Sequence, residues 1–168
     1  LAVGARPKVP PIPGLAQYAV HALEVYEPNR TLGKRIVMVG GGLVGCETGL
    51  HLAKLGHQVT VIDPLARLAH EARGKYRNAL IHEMEKCGVR GLPGTRCLEI
   101  RADGVLAEGG QGTQVLLPAD TVVYALGMES APVPDTGDCP TVRIGDCAAP
   151  AKVAEAIKAG FQAAVEIL

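Results

Sequence analysis

The sequence is poor in aromatic residues, with no Trp, one Phe and four Tyr among 168 residues. Apolar residues still make up 48% of the chain, so a core must be built from small aliphatic side chains. No apolar run reaches the roughly 18 residues that a membrane-spanning helix requires. There is no block of Lys and Arg, and the formal net charge is zero. That balance speaks against nucleic acid or an anionic membrane surface as a partner. The five cysteines, Cys46, Cys87, Cys97, Cys139 and Cys147, form no C-x-x-C. A redox disulfide of that type and a zinc knuckle are therefore unsupported. An odd number of cysteines without a signal peptide implies reduced thiols and a cytoplasmic setting. His21, His51, His57, His70 and His82 show no H-E-x-x-H or similar metal spacing. Tyr-x-x-x-Lys and a Ser-centred nucleophile elbow are missing too. No catalytic side chain and no metal site is expected.

What is present is concentrated in residues 35–63, RIVMVGGGLVGCETGLHLAKLGHQVTVID. They read as a strand, a glycine turn, a helix and a second strand ending in an acid. Gly40, Gly42 and Gly45 make G-x-G-x-x-G, and each has its own duty in a dinucleotide site. Gly40 lets the backbone turn sharply off the strand. Gly42 lets a pyrophosphate come close to the main chain. Gly45 lets the helix pack tightly. Gly41, Leu43 and Val44 stand in the same turn and helix start, whose free N–H groups and partial positive charge suit phosphates. Residues 36–39 are continuously apolar, as in a parallel strand buried on both faces. Gly56 closes the helix. Asp63 ends the second strand at a spacing that suits a ribose-binding acid. A carboxylate there accepts from both ribose hydroxyls and repels a 2′-phosphate, so NAD(H) is expected over NADP(H). Arg67 nearby pulls the other way, and a simple capping role for Asp63 before Pro64 stays open.

The ends of the chain differ in character. Residues 1–32 are Pro-rich and read as a connecting segment with a short helix over 16–26. A further helix is expected with apolar positions at Ala69, Ala72, Tyr76, Leu80, Ile81 and Met84, closing at Gly88. Period-two segments then follow at 97–101, 105–108 and 114–117, with turns at Asp103-Gly104 and Gly109-Gly110-Gln111-Gly112. Residues 121–125, TVVYA, return to a buried parallel strand. LAVGARPKVPPIPG at the start echoes YALGMESAPVPDTG near Tyr124. Each is a strand end, a small-x-Gly turn and then prolines, which suggests two nucleotide-binding units. Residues 142–144 read as a short strand, followed by Gly145-Asp146. A helix is expected over 152–168, with Val153, Ile157, Phe161, Ala164 and Leu168 on one face. An Asp there can accept a sugar or ribityl hydroxyl, or can simply sit in a loop before a helix. The chain opens on Leu1 rather than Met, and we read it as a piece of a longer protein.

GKRIVMVGGGLVGCETGLHLAKLGHQVTVID, then TVVYALG, then IGDCAAPAKVAEAIKAGFQAA, resembles the flavoprotein reductases with two dinucleotide-binding domains. The Cys and Pro of IGDCAAP are most similar to the flavin oxidoreductases of the 2,4-dienoyl-CoA reductase, 2-enoate reductase and trimethylamine dehydrogenase group. The resemblance spans nearly the whole chain. It implies an α/β fold, in which a Rossmann-like NAD(P)-binding domain with a parallel sheet and a three-stranded β-meander crossover is flanked by remnants of a split FAD domain. It divides the chain into 1–32, the linker and end of the first FAD half; 33–127, the NAD(P)H domain; and 128–168, the returning FAD segment. Gly40, Gly42, Gly45 and Asp63 then fall on the NAD site, and Glu47 on the family's acid near the nicotinamide. Gly127 borders the dinucleotide, and Gly145 and Asp146 fall on the flavin-binding Gly-Asp.

Residues 1–4 fall on the end of the first FAD half, where the family usually has Ala-Thr-Gly and this chain has Ala2-Val3-Gly4. The family often has Arg after the Pro that Pro150 matches; Ala151 and Lys152 stand here. The first FAD glycine motif and a catalytic barrel with FMN and an iron–sulfur cluster would lie outside this chain, so the chain alone is expected to hold no FAD and to be inactive. The activity implied is electron entry, from NADH to FAD, for a module that reduces an enoate, enoyl or related substrate. A nucleotide-sensing regulatory module without redox chemistry is the other reading. A homodimer of the chain would cover the apolar helix face.

Overall fold

A computed structural model describes residues 1–167. Leu168, expected on the apolar face of the last helix, lies outside the described residues. The chain divides into two compact units, Val9–Leu126 and Leu1–Lys8 with the segment from Gly127 on.

The larger unit is built on a five-stranded sheet. Its strands are β2 (Ala19–His21), β3 (Arg35–Val39), β4 (Gln58–Asp63), β5 (Arg90–Pro93) and β9 (Thr121–Tyr124). They run in the order β2-β9-β3-β4-β5, and all pairs are parallel. Helices α2 (Leu43–Lys54) and α3 (Gly74–Lys86) make the crossovers from β3 to β4 and from β4 to β5. The return from β5 to β9 is a meander of β6 (Arg96–Arg101), β7 (Gly104–Glu108) and β8 (Gln114–Pro118), paired antiparallel.

The apolar run of β3 serves both faces. Ile36 and Met38 pack with Val59, Val61 and Val123 against Cys46 and Leu52 of α2 and Leu80 and Met84 of α3. Val37 and Val39 pack with Ile62, Val122 and Tyr124 against Ile100, Val105, Ala107 and Leu117 of the meander and Leu15 of the short helix α1 (Leu15–Tyr18). Full burial of each such aliphatic side chain contributes about 1.5–3 kcal/mol. The meander thus replaces a crossover helix as the cover of one sheet face.

The smaller unit pairs β1 (Ala5–Pro7) antiparallel with β10 (Met128–Ser130), Ala5 opposite Ser130 and Pro7 opposite Met128. A one-turn helix follows at Gly145–Cys147, then α4 (Val153–Ile167). The two echoing segments of the sequence are these paired strands. Gly4 and Gly127, which precede them, have φ of 82° and 91°.

Several expectations need correction. Residues 16–26 do not form one helix but α1, β2 and a 3-10 helix at Ala22–Tyr26. Pairing of Ala19 and Val20 with Val122 and Val123 overrides local helical preference. Residues 9–32 group with the larger unit, where β2 pairs with β9. Ala69 and Ala72 precede α3 rather than lying on it. Ala69 has φ 48°, outside the right-handed helical region, and its N–H donates to Gly41 O. Strand β5 was not expected at all. Residues 142–144 are extended but form no strand, since their backbone bonds run to a single residue, Leu1.

Candidate functional site

The order of the sheet creates the site. The chain leaves β3 toward β4 on one side, while β9 lies on the other side of β3. Such a reversal opens a crevice at the carboxyl ends of the strands, where ligands of open α/β sheets sit. The glycine turn of residues 40–42 lies there, between β3 and α2.

Two glycines of the motif, Gly40 and Gly45, are demanded by their surroundings. Gly40 has φ 104°, and a Cβ on it would stand 2.4 Å from the carbonyl oxygen of Ala125. A Cβ on Gly45 would stand 1.9 Å from the Gly40 oxygen, so α2 packs backbone to backbone on the turn. Gly42 is different. The three atoms nearest a Cβ there all belong to the Glu71 carboxyl group, its Oε1 at 2.9 Å. That face of the turn is thus met first by one flexible side chain, whereas Gly40 and Gly45 are met by backbone.

Asp63, at the end of β4, is buried. Its Oδ2 accepts the Gly41 N–H at 2.7 Å and its Oδ1 accepts the Leu65 N–H at 2.8 Å. The acid thus braces the glycine turn, and each oxygen keeps a second lone pair. Glu71 accepts the N–H of Leu43, the first residue of α2, at 2.5 Å. Val44 follows on α2 with its side chain exposed. Glu47, one turn further along, accepts a hydrogen bond from the Tyr76 hydroxyl on α3. That bond is the main reason the Tyr76 phenol lies above its ordinary pKa. Cys46 is fully buried beneath the turn and donates to the Gly41 oxygen at 3.3 Å. Burial pushes its thiol pKa up to about 11, so it packs as a small neutral side chain.

In the smaller unit, Gly145 has φ 62° and lets the chain turn out of the extended Ile144. Asp146 accepts the Ala151 N–H through Oδ1 at 3.2 Å, and its carbonyl accepts the Ser130 hydroxyl at 2.9 Å. A cleft of about 410 Å³ is lined by Gly4, Gly145, Asp146, Lys152 and Val153, among others. Gly127 stands at the head of β10, where its oxygen accepts the Lys8 N–H at 3.0 Å.

The structure thus brings Gly40, Gly41, Gly42, Leu43, Val44, Gly45, Glu47 and Asp63 together in the larger unit. Gly145 and Asp146 share a cleft of the smaller unit, and Gly127 lies in that unit apart from the cleft's lining. Glu71 and Tyr76, which sequence reasoning missed, reach the α2 start and Glu47. Glu71 lies in the turn before α3, a stretch in which the sequence pattern places Ala69 and Ala72 on the helix instead. The Asp63-Pro64 pair was the available signal of a turn. Among the described residues, no group of three or more His, Cys, Asp or Glu is arranged to hold a metal. No described helix is long and apolar enough to cross a membrane.

A parallel sheet with a glycine turn at its switch point and an acid at the neighbouring strand end defines a dinucleotide-binding chain. The chain belongs to the family described as pyridine nucleotide-disulphide oxidoreductase, which matches residues 1–145. It is 38% identical over 128 residues to the bilirubin reductase of Mediterraneibacter gnavus, covering 76% of this chain and 20% of that protein. It is 32% identical over 178 residues to the NADH oxidase of Thermoanaerobacter brockii, covering 99% of this chain and 27% of that protein. The chain thus spans well under a third of the length of these two relatives. Among solved structures, 2-naphthoyl-CoA reductase in complex with 2-naphthoyl-CoA superposes with a TM-score of 0.87 at 28% identity, covering 96% of this chain and 25% of that one. Histamine dehydrogenase from Rhizobium sp. 4-9 shares the fold, with a TM-score of 0.81 at 21% identity, covering 97% of this chain and 29% of that one.

Proposed function

We propose that this chain is the NADH-binding, electron-entry portion of an FAD-dependent oxidoreductase of the 2,4-dienoyl-CoA reductase, 2-enoate reductase and trimethylamine dehydrogenase group. The observation that carries the reading is the glycine turn at the sheet's switch point, braced by Asp63. Likeness to 2-naphthoyl-CoA reductase supports the choice of group and an enoyl- or enoate-type substrate for a module outside this chain. When bound, the nicotinamide supplies a hydride from C4 and the flavin receives it at N5.

The residues of this chain bind and orient. Backbone N–H groups of Gly42, Leu43 and Val44 would meet the pyrophosphate at the start of α2, while Gly40, Gly45 and Gly41, whose N–H is held by Asp63, shape the turn that presents them. Asp63 takes the ribose hydroxyls and disfavours a 2′-phosphate. Glu47 faces the nicotinamide end. Gly127, Gly145 and Asp146 serve FAD, Asp146 toward its ribityl hydroxyls. No side chain need act as acid or base, because hydride transfer rests on orientation. In the intact protein, the rest of the FAD domain and a barrel module with FMN and an iron–sulfur cluster complete the enzyme. The stripe of Val153, Ile157, Phe161 and Val165 on α4, exposed in this chain, is the face that the rest of the FAD domain covers.

A titration of the chain with NADH, read by nicotinamide fluorescence, tests the binding claim; saturable binding is expected, and none to NADH or NADPH overturns it. Bleaching of a flavin spectrum in the intact protein on adding NADH separates electron entry from nucleotide sensing.

A further inference from the structure

The N–H of Leu43 belongs to the first turn of α2, whose donors have no acceptor inside the helix. On the reading above, these donors receive the pyrophosphate. In the structure the Leu43 N–H is already engaged by Glu71 Oε1 at 2.5 Å. The same oxygen stands 2.9 Å from the point where a Cβ on Gly42 would lie, so it occupies that face of the turn.

The backbone carrying Glu71 is fixed and the side chain is not. The Ala69 N–H donates to Gly41 O at 2.7 Å, and Arg77 Nε donates to Leu68 O at 2.8 Å. These bonds pin the 68–69 turn to the glycine turn and to α3. The Glu71 side chain itself is 38% exposed, and its Oε2 lies 3.2 Å from His70 Nδ1. It has room to rotate toward solvent.

We propose that Glu71 is an internal competitor for the pyrophosphate, and that its carboxylate must swing off the start of α2 before a dinucleotide seats. A carboxylate and a phosphate cannot share one N–H cluster, because two like charges a few ångströms apart repel. Glu71 thereby sets the affinity of the site, through the pyrophosphate and not through the adenine or the nicotinamide. The proposal rests on the dinucleotide reading of the turn.

The test compares the chain with Glu71→Gln and Glu71→Ala variants. Calorimetric titrations use NADH, ADP-ribose and adenosine, and melting curves are taken without ligand. Competition predicts opposite signs. Both variants bind NADH and ADP-ribose more tightly, by roughly tenfold for Glu71→Ala, yet melt at lower temperature when free, because Glu71→Ala removes the acceptor at the α2 start and Glu71→Gln removes its negative charge. Adenosine, which has no phosphate, gains nothing. A purely structural role for Glu71 lowers the melting temperature without tightening either ligand. Equal or weaker binding of NADH and ADP-ribose by the variants overturns the proposal and leaves the dinucleotide reading intact. No binding of either ligand by any of the three proteins overturns both.

Discussion

Asp63 Oδ2 accepts the Gly41 N–H at 2.7 Å, which ties the end of β4 to the turn that follows β3. The carboxylate therefore holds the turn, and on the proposed function it also takes the ribose. Asp63→Ala leaves the N–H groups of Gly41 and Leu65 without their acceptor, at a cost of about 1–3 kcal/mol. The native chain is expected to bind NADH more tightly than NADPH. In the variant the ratio narrows roughly tenfold, since a carboxylate and a phosphate near 4 Å repel by about 1–4 kcal/mol. Parallel titrations with both nucleotides check this; tighter NADPH binding by the native chain contradicts it.

Gly45→Ala places a methyl group 1.9 Å from the Gly40 oxygen. Backbone must move, and α2 must lift from the turn. Overpacking of this kind costs about 1–3 kcal/mol. Urea unfolding should show a lower midpoint at unchanged slope, together with weakened NADH binding.

Asp120 accepts two bonds from the Arg35 side chain and one from its backbone N–H, at the starts of β9 and β3. These hold its pKa down at about 2 against an ordinary 3.8. A depressed carboxylate stabilises the fold above its unfolded pKa and loses that contribution as the pH falls through the folded value. The pair's contribution is thus complete above about pH 4 and fades toward pH 2. Melting temperature measured across that range should fall less steeply for Asp120→Asn than for the native chain.

Cys46 is fully buried with a thiol pKa pushed up to about 11, whereas Cys139 is exposed. Thiolate is the reactive form. Iodoacetamide at pH 8, followed by mass spectrometry, should alkylate Cys139 first. Cys46 should react only at the rate at which the larger unit opens. Early labelling of Cys46 would refute its place beneath the turn.

Val153, Ile157, Phe161 and Val165 are spaced one turn apart on α4 and are 57–75% exposed. The purified chain should self-associate in a concentration-dependent way, and Phe161→Glu should shift it toward monomer in light scattering.

Much of this was legible in the sequence where the constraint is local. The three glycines and Asp63 lie within one β-α-β stretch, so their spacing alone carries the geometry. The meander announced itself through period two and its glycine turns. What stayed hidden depends on partners far along the chain. Ala19–His21 is a strand only because Val122 to Tyr124 lies beside it. Strand β5 carries Gly91 and Pro93, residues that signal turns, and is held by its pairing with β4. Glu71 reaches Leu43 because Ala69 adopts φ 48°, a conformation that alanine gives no reason to expect.

The pairing of β1 with β10 bears on how the molecule can be cut and pulled. Pro7 faces Met128, and the Lys8 N–H reaches the Gly127 oxygen, so the chain departs for the larger unit and comes back at one gate. A module whose entry and exit coincide can be excised at residues 9 and 126 and joined end to end by a short linker. It can equally be transplanted into another host's loop without stretching either partner. Under tension applied at Leu1 and Ala151, the bonds of Leu1 to Val142 and Ile144 part first; the load then meets the gate at Ala5 and Ser130, and its rungs open one at a time, like a zip. The glycine turn and its sheet lie beyond that gate and bear no force until the last rung has parted.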